Sequence, residues 1–196
     1  MSTVVGPPGV PLRPWRADDV PAYREWLRPH HDWHRWDGPY FARPTDADAD
    51  AAAATLERAI AEHGGLPPSE DGLPPRRLVI ADAVTDALVG TVSWHWESRE
   101  TAWARMGVTV FDPAQRGRGV GRAALAAWTS YLFAHTDWVR LDYSTWSGNA
   151  AMVRVGQVLG FTEEARFRQA RVVDGVRYDS VVMGVLRDEW LAQQRP

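Results

Sequence analysis

Gln115-Arg116-Gly117-Arg118-Gly119-Val120-Gly121-Arg122 is the stretch on which the reading of this chain turns. It follows a strand-like run, Met106-Gly107-Val108-Thr109-Val110-Phe111, and a short turn, Asp112-Pro113-Ala114. It leads into a helix-like run from Ala123 to about Ala134. Alternate glycines let a backbone adopt positive φ and approach an anion closely. The N–H groups of a helix start and the positive end of its dipole then face one point. Three arginines in the same turn oppose that dipole, and a bound phosphate reverses the penalty. The alternative for Arg118 and Arg122 is solvated charge on a helix start.

Working outward, three strand-like runs precede the turn, at residues 77–82, 88–97 and 101–111. Tight connections make them an antiparallel meander. Further upstream, residues 10–16 read as an edge strand because of their prolines. Residues 20–27 read as a helix capped by Asp18, and 45–63 as a helix capped by Thr45 or Asp46 and stopped by Gly64-Gly65. Residues 66–75 hold four prolines and read as an exposed loop. Downstream come a strand at 138–144, a helix at 149–159 stopped by Gly160, and a hairpin of 166–173 with 177–186 across Asp174-Gly175. The expected fold is α/β: a mixed, mostly antiparallel sheet of six to seven strands with helices on both faces. One domain is expected, with its core at about residues 10–190.

The 196 residues are 45% hydrophobic and 24% charged, enough for one sizeable core. The net charge of −3 argues against a general nucleic-acid binder. There is no cysteine, which excludes disulfides, thiolate metal ligands and a cysteine nucleophile. No apolar run reaches 18 residues, so no membrane span is expected. The start, Met1-Ser2-Thr3-Val4-Val5-Gly6-Pro7-Pro8, lacks signal-peptide features, and a cytoplasmic protein is the default expectation. Every basic residue among the 22 is arginine, an oddity that genome composition accounts for. The 11 tryptophans read as core and pocket walls, with enough apolar surface for a homodimer.

With these elements in order, the chain resembles the GNAT superfamily of acyl-CoA-dependent N-acetyltransferases. Arg116-Gly117-Arg118-Gly119-Val120-Gly121 matches its Arg/Gln-x-x-Gly-x-Gly/Ala motif. Asn149, with Val158-Leu159-Gly160-Phe161, matches its Asn…Leu-Gly-Phe signature, and Leu12-Arg13-Pro14-Trp15 its first strand. Tyr178-Asp179-Ser180 through Leu186-Arg187-Asp188-Glu189-Trp190 is similar to the branch that acetylates ribosomal-protein N-termini. The resemblance implies that acetyl-CoA is the cosubstrate. The N–H groups from Arg116 through Gly117, Arg118, Gly119, Val120 and Gly121 to Arg122 would cradle its pyrophosphate. Val110 and Phe111 would hydrogen-bond the pantetheine arm, and Asn149 would bond the same arm. The strand at 106–111 and the strand at 138–144 would splay apart to admit the thioester. A primary amine, on a peptide N-terminus or a small molecule, would attack directly.

Three chemical positions depart from the family. Arg105 stands where a glutamate base is often found, Met152 replaces a serine, and Gly156 replaces a tyrosine acid. His95, in Trp94-His95-Trp96, is a candidate base; an ordinary strand residue is the alternative. Tyr143 is a candidate acid, or a packed tyrosine with a satisfied hydroxyl. In His30-His31-Asp32-Trp33-His34-Arg35-Trp36-Asp37-Gly38-Pro39-Tyr40-Phe41, the spacing fits no defined zinc pattern, and no metal is expected. That segment reads as the acceptor pocket: Asp32 and Asp37 attract the amine, while Trp33, Trp36 and Tyr40 wall it. Two other readings stay open. One is an acyl-CoA-binding module without catalysis; the other is a different donor, with Arg105 pairing a succinyl carboxylate.

Overall fold

Alternation sets the central strands. On β3 (Leu88–Ser98), Val92 and Trp94 are buried on one face while His95 and Glu97 stand on the other. β4 (Trp103–Val110) pairs with it antiparallel, so that Ser93 faces Gly107 and His95 faces Arg105. β2 (Arg77–Ala81) pairs with the far side of β3, placing Arg77 opposite Ser93. This computed structural model describes residues 9–64 and 72–193. The N-terminal reading of residues 1–8, and residues 66–71 of the expected loop, lie outside the described residues.

The sheet has seven strands in the order β1-β2-β3-β4-β5-β7-β6. β1 is Leu12–Arg13, β5 Arg140–Trp146, β6 Thr162–Val173 and β7 Val176–Leu186. All pairs are antiparallel except β4 with β5. The mixed, mostly antiparallel α/β sheet is as the sequence implied. β1 is shorter than expected, because Pro14 has no N–H to continue the ladder. β5 starts two residues later than expected; Trp138, ahead of it, packs instead against Trp94 and Trp96 at 4.6 and 4.9 Å between ring centres.

Helices cover both faces. α3 (Val120–His135), α4 (Ala150–Val158) and α5 (Arg187–Gln193) pack over one core through Leu125, Trp128, Val155 and Trp190. α1 (Asp19–Trp26) and α2 (Asp46–His63) pack over the other, through Val20, Tyr23, Ala53 and Leu56. Thr45 caps α2 in a capping box with Asp48. At α1 the cap is not Asp18, which makes no capping bond. Asp19 accepts from the Arg16 N–H at 2.8 Å instead, and both its oxygens accept from Arg13 at 2.8 Å. Among the described residues no helix is long and apolar enough to cross a membrane.

The parallel pair positions everything that follows. β4 and β5 are paired only at Ala104–Leu141 and Arg105–Asp142. There the Arg105 Nε donates to Asp142 at 2.7 Å, and the Trp103 Nε1 donates to it at 2.5 Å. Arg140 adds a contact at 3.2 Å, and Glu97 holds the other side of Arg105 at 2.9 Å. Asp142 is fully buried. Beyond this point neither strand has a partner on the facing edge. Because they run parallel, the gap opens toward the glycine turn and the start of α4.

Removing one partner of a buried ion pair leaves its mate uncompensated. Asp142→Ala should therefore destabilise the fold by about 3–5 kcal/mol, a fall in Tm on the order of 10 °C. Asp50→Asn, which loosens exposed pairs to Arg24 and Arg28, should change stability by less than about 1 kcal/mol. Chemical denaturation of both variants checks the contrast.

Candidate active site

The gap between β4 and β5 is the floor of an open cleft of about 1260 Å³. One end is the glycine turn. A short 3-10 turn, Pro113–Gln115, is capped by Asp112, which accepts from the Ala114 N–H at 2.8 Å. Gly117 and Gly119 then take φ of +72° and +84°, the left-handed region that favours glycine. The first closed turn of α3 is the Ala123 N–H to Gly119 carbonyl bond at 2.9 Å. The N–H groups before it have no intrahelical acceptor. A Cβ on Gly117 would meet nothing within 4 Å, so the space above the turn is open. Gly121 differs: its φ is ordinary, and a Cβ there would make normal contact with Val110 at 3.6 Å.

Arg116 bonds Asp32 at 2.5 Å through one terminal nitrogen, while the other is buried with no hydrogen-bond partner. Arg118 and Arg122 are exposed and line the cleft. An anionic group over the turn would satisfy the orphaned Arg116 donor and the helix-start N–H groups together. The residues present therefore fit a pyrophosphate. Val110 lines the cleft beside them, with its edge toward β5 unpaired. Phe111 does not offer its N–H, which donates to the Val89 carbonyl at 2.9 Å. Its ring is buried against Trp33 and Trp26, so its contribution is an apolar wall.

The aromatic segment forms a strap across the cleft. A 3-10 turn, Asp32–Arg35, leads into it. The Trp36 carbonyl accepts from the Asn149 amide at 3.2 Å and from the Trp146 indole at 3.4 Å. Asn149 also accepts from the Met152 N–H at 3.1 Å, as the cap of α4. One N–H and one lone pair of its amide are thus used within the protein, which leaves the second of each for other partners in the cleft it lines. Asp32 is likewise no amine trap: its carboxyl sits below the usual range because Arg116 donates to it. Trp33 is core, with its indole on the Trp26 carbonyl at 2.5 Å. Trp33, Trp36 and Tyr40 all line the cleft.

Asp37 is the carboxylate of this strap that faces the cleft. It accepts from the Thr109 hydroxyl of β4 at 3.2 Å. Water reaches it through the open cleft, but protein surrounds it on most sides, and that desolvation pushes its carboxyl up. Thr109, His34 and Arg77 pull the other way more weakly. Its neighbours on the same sheet face are Arg77, Ser93 and Gly107, aligned across β2, β3 and β4. Gly107 leaves the floor bare where the strands part; a Cβ there would stand 2.7 Å from the Ser93 hydroxyl.

His95 lies on this face too, 61% exposed and 3.4 Å from Glu97. Tyr143 corrects the expectation of a free acid. Its ring is buried, its hydroxyl donates to the Met152 carbonyl at 2.9 Å, and burial holds its pKa above the usual phenol value. A Cβ on Gly156 would come within 2.2 Å of that oxygen, so Tyr143 fills the place of the missing α4 side chain. Arg105 is held by Glu97 and Asp142 and has no charge to spare for an acyl carboxylate. Glu25, His30 and His31 converge within 4.8 Å at the surface, apart from the cleft lining. Arg77, Thr109 and Arg171 escaped the sequence reading. Only strand pairing, which no local pattern encodes, brings them to the cleft.

A parallel pair that parts over a glycine turn is the architecture of acyl-CoA-dependent acyltransferases. Residues 10–162 match the family model of the acetyltransferase (GNAT) domain, and the chain belongs to that family. A curated relative, an uncharacterised N-acetyltransferase of SPbeta prophage origin from Bacillus subtilis, is 25% identical over 83 residues. That match covers 42% of this chain and spans 46% of the relative's length, just under half. A GNAT-family acetyltransferase structure from Bacillus anthracis superposes with a TM-score of 0.71 at 16% identity, covering 95% of this chain and 99% of that one. A spermidine N-acetyltransferase from Vibrio cholerae, in complex with CoA and spermine, gives 0.72 at 17% identity, with 93% and 98% covered. At such identities the likeness is one of fold.

Asp37 makes a testable trade-off. A carboxyl raised in the folded state holds more protons there than in the unfolded chain. Its contribution to stability therefore falls as pH rises from the ordinary value of 3.8 through the raised one. Asp37→Asn should raise Tm at pH 7 and remove that part of the pH dependence. Thermal melts of both proteins between pH 4 and 8 check it.

Proposed function

We propose that the protein transfers an acetyl group from acetyl-CoA to a primary amine, by direct attack within one ternary complex. The observation that carries this is the parting of β4 from β5 over the glycine turn. The N–H groups from Gly117 to Arg122, with Arg116, would hold the pyrophosphate. The pantetheine would lie along the unpaired edge of β4, near Val110. When bound, the thioester supplies an activated acyl carbon. The amine would enter under the strap, over Gly107, between Trp36 and Tyr40. Positioning of this kind accounts for a large share of such rate enhancements.

Asp37 is the carboxylate placed to receive the ammonium and take its proton. A raised carboxyl is a stronger base than an ordinary aspartate. His95 is the second candidate, one position further along the same face. No dedicated acid is needed for the leaving thiolate, since a thiol's ordinary pKa is near 8.5. The similarity of the C-terminal segment to the ribosomal-protein branch supports a peptide N-terminus as acceptor; a small amine is the other choice.

Calorimetry with acetyl-CoA tests the donor site. Wild type should bind; Gly119→Asp and Arg116→Glu should weaken binding at least about tenfold, losing charge-assisted bonds, while Gly121→Ala should bind as wild type. Absence of binding by wild type would sink the proposal. For the acceptor side, Asp37→Asn should lower kcat by roughly 10²–10³, the usual yield of a general base. The acidic limb of the pH–rate profile should vanish with it. If His95→Gln does this and Asp37→Asn does not, the base is His95.

A further inference from the structure

The cleft is cationic on its acceptor side as well as at the glycine turn. Its lining holds two carboxylates, Asp37 and Glu97, and Glu97 is paired with Arg105. The arginines of the turn face the proposed phosphate site. Two others remain. Arg77 donates to the Tyr23 hydroxyl at 3.0 Å, and its charge reaches Asp37. Arg171, reaching in from β6, stacks on the Tyr40 ring at 4.3 Å. It is half-buried, with one long bond to the Ser180 hydroxyl at 3.4 Å, and its Nε is buried with no acceptor. Among the described residues neither arginine has a carboxylate within ion-pair distance.

A half-buried guanidinium with its Nε left buried and unsatisfied is unfavourable unless a partner completes it. Its planar fork suits a carboxylate, and Tyr40 fixes the plane. A polyamine would bring two or more further cations against these arginines, with Asp37 alone to offset them. We infer that the acceptor carries a carboxylate beside its amine: Asp37 takes the amine, and Arg171, with Arg77 alongside, takes the carboxylate. An amino acid and a peptide whose second residue is acidic both present this pair. The inference rests on the transferase reading above and names its acceptor class.

Matched pairs separate the possibilities: natural amino acids against their carboxamides, dipeptides with Asp or Glu against Asn or Gln in second place, and spermidine. Turnover with acetyl-CoA is measured, and so is binding to the CoA-loaded protein by calorimetry. The carboxylate members should be favoured by about 10–100-fold, as for an ionic hydrogen bond. Arg171→Gln should erase that preference through KM, leaving acetyl-CoA affinity unchanged. Arg171→Lys, which keeps the charge and loses the fork, should recover only part of it. Amino acids favoured over peptides identify the α-carboxylate as the group read; the reverse identifies the side chain. Equal use of amides and acids, preference for spermidine, or an unchanged preference in Arg171→Gln overturns the inference while acyl transfer itself stands. Failure to bind acetyl-CoA overturns the transferase reading instead.

Discussion

The buried carboxylate of Asp142 is where the two halves of the sheet are joined and where they part. Arg105 and Trp103 reach it from β4, and Arg140 reaches it from its own strand. The pairing ends there, after two residue pairs. In an ordinary sheet the ladder would continue and pair every N–H with a carbonyl. Here the facing edges of β4 and β5 stay unpaired past Arg105 and Asp142. A strong, desolvated pin at the apex permits a wide gap at the mouth without the sheet separating. The charge of Arg105 thus holds the point from which the two strands diverge.

The strap supplies the missing ties at the open end. It is joined to the glycine turn through Asp32 and Arg116, to β4 through Asp37 and Thr109, and to the β5–α4 corner through Trp36. Each tie uses a residue that also lines the cleft or reaches one that does. Arg116 divides its guanidinium between Asp32 and an unfilled direction, and Asp37 is held in a desolvated place that disfavours its charge. Stability given up at such positions is common at functional sites.

Much of this was legible in the chain. The glycine spacing, the alternation on β3 and the Asp174-Gly175 turn are local signals, and they placed the turn and the meander correctly. The glycine-turn end of the cleft is legible because its parts are contiguous in sequence from Val110 to Arg122. The other end is assembled from β2, β4, β6 and the strap, and local pattern says nothing about which side chains meet there. Asn149 and Tyr143 make contacts hidden from the sequence for the same reason. Their partners, Trp36 and Met152, are set by tertiary placement. Asp32 and Asp37 look alike in sequence; the reach of Arg116 to the first and the Thr109 hydroxyl on the second separate them.

A crystal structure of the protein with bound CoA tests the central claim most directly. The account predicts pyrophosphate on the Gly117–Arg122 N–H groups, pantetheine between β4 and β5, and sulfur beside Gly107 on the Asp37 face. Density for CoA outside the gap, or β4 and β5 paired beyond Arg105 and Asp142 in the complex, would contradict it.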